Sequence, residues 1–86
     1  MDALDELLEM IRGNTHGAAS LVLFALVKTL SAKQGQYLFL LNKLRDLDEP
    51  QRRLAYRLME LMVAGANETP DWHARVQAME DAIRRG

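Results

Sequence analysis

The chain has 86 residues, a formal net charge of -1 and no cysteine, which reads as one small helical domain, 1–86, with no disulfide framework and no thiolate metal site. A domain this small is marginal without extra support, and with disulfides excluded the support expected here is a second copy of the chain. The charge is uneven: residues 1–12 carry -3, residues 28–57 carry +4 and the remainder -2. This pattern lets an acidic head attract a basic middle, or a basic middle meet an anionic partner.

The opening stretch, MDALDELLEM, has four acids, the opposite of the cationic start of a secretory signal, and reads as structure rather than as a leader. Leu4, Leu7, Leu8 and Ile11 recur at i, i+3, i+4, i+7 while Asp2, Asp5, Glu6 and Glu9 repeat the same spacing on another face. The spacing predicts a short amphipathic helix. Gly13 after Arg12 is expected to end it as a left-handed C-terminal residue, with Asn14 or Thr15 capping the next helix.

From Ala18 to Leu30 the chain is apolar almost all round, so this helix is expected to be covered on most sides by its own subunit and by another. Ala18, Val22, Ala25, Thr29 and Ala32 form a narrow ridge of small residues, and Leu23, Val27 and Leu30 form the bulky face. The uncharged run 13–27 is shorter than the roughly 20 residues of a membrane span, and Lys28 closes it. No membrane contact is expected, and the lack of cysteine fits the cytoplasm.

Gly35 then poses a choice between a stop and a continuous helix. Lys33, Gln34 and Gly35 resemble a last turn, but no capping residue stands ready after Gly35. The apolar phase also continues unbroken, with Leu23, Val27, Leu30, Gln34, Tyr37, Leu41 and Leu44 spaced 4, 3, 4, 3, 4, 3. Because a break normally scrambles such a register, the reading is one helix from about Thr15 to about Leu47, on the order of 45–50 Å long. The fold expected is therefore all-α: a small bundle of three or four helices around one long central helix, paired as an intertwined dimer or higher oligomer through residues 17–44. Gln34 is the polar seam residue that would set register.

The rest of the chain is punctuated clearly. Asp48 with Pro50 predicts a helix start, followed by a core stripe of Leu54, Leu58, Leu61 and Met62. Residues 65–67 read as its exit. Thr69, Pro70 and Asp71 then predict the start of a last helix, with Trp72, Val76, Met79 and Ile83 as its buried stripe. Phe24, Tyr37, Phe39, Tyr56 and Trp72 mostly fall on apolar stripes and are assigned to the core. Phe39, beside Leu40 and Leu41, marks a place for a partner to dock.

Candidates for chemistry are few. His16 and His73 have no partner at metal-ligand spacing, and the acids at 2, 5, 6 and 9 are better explained by a helix N-terminus than by a cation. Ser20 and Ser31 lack a nucleophile elbow, and the glycines form no phosphate loop. No catalytic residue, metal or cofactor is assigned, and an enzyme is the least supported class. The function expected is a non-catalytic helical protein–protein interaction module, an adaptor, regulator or chaperone-like subunit. It would act as a homo-oligomer and hold a protein partner through Leu23, Val27, Leu30, Gln34, Tyr37, Leu41 and Leu44. The alternative is a nucleic-acid-binding regulator using the basic elbow of Arg45, Arg52, Arg53 and Arg57 on phosphates.

Overall fold

A computed structural model describes residues 2–31 and 41–85. All of its regular structure is helical: α1 (Ala3–Gly13), α2 (Ala18–Ser31), a 3-10 stretch (Leu41–Asp46), α3 (Glu49–Val63), a short 3-10 turn (Ala66–Glu68) and α4 (Pro70–Arg85). The four α-helices enclose one core, and the Cα radius of gyration, 11.8 Å, is that of a compact domain of this length.

The first helix forms as its spacing predicts. Asp2 is the N-cap, its carboxylate accepting the amide of Asp5 at 2.9 Å, and Leu4, Leu7, Leu8 and Ile11 are buried together with Ala3. Its end differs from expectation. Gly13 belongs to the helix, and Asn14, at φ -154° and ψ 82°, terminates it, with an amide shared between the carbonyls of Met10 and Ile11. Among the described residues the one positive φ is at Gly65, so Gly13 is not a left-handed stop. Nor does Asn14 or Thr15 cap the next helix. Gly17 occupies that place, its carbonyl accepting the amide of Leu21 at 3.1 Å. The side chain of Asn14 packs close to Gly17, so that a Cβ there would lie 2.4 Å from Nδ2 and the exposed Asn14 side chain would have to swing aside.

α2 lies against all three other helices, and Leu23, Leu26 and Val27 are its contribution to the core. Its C-terminal turn is held by tertiary hydrogen bonds. The Asn67 amide donates to the carbonyl of Leu30 at 2.8 Å, and the Trp72 indole N–H donates to the Ser31 hydroxyl at 2.8 Å. That hydroxyl in turn donates to the Val27 carbonyl at 2.7 Å. Carbonyls at a helix end have no partner within the helix, and residues from the far side of the sequence supply some of what is missing here.

The expected passage of one helix through Gly35 lies outside the described residues. Where the chain is described again, residues 41–46 wind as a 3-10 helix, tighter than the α-helix expected to run to Leu47. Leu44 is half-buried and Leu47 buried against the core, while Asp48 already starts the next element.

That element starts where its sequence signals place it, and Leu54, Leu58 and Leu61 of its predicted stripe join the core, whereas Met59 and not Met62 completes the stripe. Asp48 caps α3 in a reciprocal box: its carboxylate accepts the Gln51 amide at 3.0 Å, and the Gln51 side chain accepts the Asp48 amide at 2.9 Å. Asp48→Ala is expected to cost about 1 kcal/mol of stability, read as a lower urea midpoint with unchanged slope. Leu54, Ala55 and Leu58 are buried, and Leu61 and Met59 pack half-buried against the core. Gly65, at φ 87°, then turns the chain out of α3, its amide bonded to the carbonyl of Met62 at 2.9 Å. Thr69 caps α4 by accepting the Trp72 amide at 3.2 Å. Trp72, Val76 and Met79 are buried and Ile83 packs against the core, completing the predicted stripe.

Candidate functional site

Three surfaces gather the residues singled out above: the outer face of α2, the arginines around the start of α3, and a cleft between the N-termini of α1 and α4.

On α2 the bulky side turns inward. Leu23 and Val27, expected at a seam between molecules, are fully buried in this chain's own core, because α1, α3 and α4 close on that side of the helix. Leu30 and Leu44 are half-buried and pack against the same core. Gln34 and Tyr37 lie outside the described residues, as does the side chain of Leu41. The opposite side of α2 is what faces outward. Leu21 is 41% exposed, Ala18 is exposed, and Val22, Ala25 and Thr29 are half-buried. The Thr29 hydroxyl donates back to the Ala25 carbonyl at 2.9 Å, so its hydrogen-bonding need is met within the helix. Lys28, at the margin, donates to Glu80 of α4 at 2.9 Å. Four of the five residues of the predicted ridge thus lie on the side of α2 away from Leu23 and Val27, Val22 packing in part against the core; Leu21 is exposed beside them, one heptad before Lys28, whose charge is met by Glu80, and Ala32 lies outside the described residues.

The arginines are distributed differently from the expected elbow. Arg57 pairs with Glu6 across α3 and α1, Arg53 with Glu49 one turn away at 2.5 Å, and Arg52 donates to the Leu47 carbonyl at 2.9 Å. Arg45 is exposed on the 3-10 stretch. Three of the four arginines therefore have acceptors inside the chain. The acids of α1 are the other half of this arrangement: Asp5 accepts from Arg75 Nε at 2.6 Å, Glu6 from Arg57, and Glu9 lies 3.9 Å from Arg12. The attraction between acidic head and basic middle is in part satisfied within one chain.

The Arg57 guanidinium holds the Glu6 carboxyl below its ordinary 4.5, chiefly by hydrogen bonding, against an opposing effect of desolvation and with a weaker contribution from its charge. Since the folded value is depressed, the pair's contribution is present above about pH 4.5 and is lost as pH falls through the folded value. Wild type is expected to resist urea better than Glu6→Gln at pH 7, with the gap closing below pH 4.5; both proteins titrated side by side supply the check.

A cleft of about 140 Å³ is lined by Asp2, Leu4, Leu61, Ala66, Thr69, Asp71, Trp72 and Arg75. It is smaller than the roughly 300 Å³ at which small-molecule sites begin. Of its polar lining residues, Asp2 and Thr69 are engaged as caps and Arg75 by Asp5. His16 and His73 are both exposed, and the Thr15 hydroxyl lies 3.3 Å from His16 Nδ1. Among the described residues no three His, Asp or Glu side chains converge as a metal site. No helix among them is long and apolar enough to cross a membrane.

Of the aromatics, Trp72 is buried and Phe24 packs against the core, whereas Tyr56 is 51% exposed, a correction to its assignment as core. It stands on the side of α3 turned away from Leu54 and Leu58. Tyr37 and Phe39 lie outside the described residues. The sequence reading missed the links from Asn67 to the Leu30 carbonyl and from Trp72 to the Ser31 hydroxyl, which join positions 37 and 41 residues apart. Their one local hint is that a buried indole N–H needs an acceptor. Comparison with protein-family models, with curated proteins and with solved structures finds no match for this chain.

Proposed function

We propose that this chain is a non-catalytic helical interaction module, an adaptor- or regulator-like subunit that associates with a second copy of itself through the outer face of α2. The observation that carries the reading is the character of that face: Ala18, Leu21, Val22, Ala25 and Thr29, small or apolar, with Lys28 at its edge neutralised by Glu80, on the most apolar helix of a small domain. Uncharged small side chains let two helix backbones approach closely, and ridge-in-groove packing at 8–10 Å between axes needs such a surface. Self-association also supplies the stability that a domain of this size without disulfides gains from few other sources.

The arginine elbow supports a nucleic-acid reading less well, because Arg52, Arg53 and Arg57 already have acceptors within the chain and would have to exchange them for phosphates.

The absence of cysteine makes the proposal directly testable. Ala25→Cys is expected to give a disulfide-linked dimer on mild oxidation, and Val63→Cys, at a 73% exposed position on α3, is expected to stay monomeric under the same conditions. Equal crosslinking at both positions, or none at Ala25, argues against an α2-mediated pair.

A further inference from the structure

We draw no further inference here: the strongest candidate, the outer face of α2 around Leu21 and Ala25, already carries the proposed function, and nothing in the structure shows what covers it.

Discussion

Trp72→Ala is expected to lower stability by about 3–5 kcal/mol, the usual cost of truncating a buried tryptophan. Domains of this length are held by only about 4–13 kcal/mol, so the variant should lose a large share of the folding free energy and show a much lower urea midpoint. Two contributions are lost together. Trp72 is the largest of the fully buried side chains, and it packs where α4 begins beside the end of α2. Its indole N–H also donates to Ser31, whose hydroxyl bonds the Val27 carbonyl. Trp72→Phe separates the two, since most of the ring volume stays and the indole donor is gone. It should retain the fold with a smaller loss, while Ser31→Ala should remove the hydrogen bond for about 1 kcal/mol. Far-UV circular dichroism against urea reads all three; a loss below 1 kcal/mol for Trp72→Ala contradicts the packing described.

Leu23→Ala is the second large effect, at about 2–5 kcal/mol. Its importance lies in what kind of stability is lost. Leu23 is fully buried within one chain, so its truncation should weaken the monomer itself, with an unfolding midpoint shift that does not depend on protein concentration. Leu21→Ala, two residues away and 41% exposed, should change the monomer by less than about 0.5 kcal/mol and act instead on association. Thermal melts across a hundredfold range of concentration distinguish the two behaviours. If Leu23→Ala instead acted only through concentration, the bulky face of α2 would be an intermolecular seam after all.

Much of the helical plan is legible in the sequence because its signals are local. Asp48 with Gln51, Thr69 with Pro70, and the leucine spacing of α1 each act within a turn or two, where propensity and capping decide the outcome. The end of α2 is not of this kind. Ser31 and Leu30 are met by Trp72 and Asn67, and no local pattern around residue 31 announces partners that arrive two helices later. The same holds for charge. The excess of arginine after residue 44 suggests an anionic partner when counted along the chain, yet Arg57 finds Glu6 on α1 once the helices pack.

α2 illustrates a different limit. A helix apolar all round does not reveal from periodicity which side the monomer will claim. The sequence reading gave Leu23 and Val27 to a partner; the fold uses them itself, because bulky side chains fill the space between three converging helices better than small ones do. What is left outside is the ridge of Ala18, Val22, Ala25 and Thr29 with Leu21. Shape decided the assignment, and shape is a property of the packed set of helices.

The proposed function has the outer face of α2 joining two copies of the chain. Sedimentation equilibrium of the wild-type protein and of the Leu21→Asp, Ala25→Asp double variant, over a wide concentration range, tests it most directly. The account predicts a wild-type dimer, with a double variant that sediments as a monomer and keeps a native helical spectrum. A wild-type chain that stays monomeric at every concentration, or a double variant that dimerises as tightly as wild type, would contradict it.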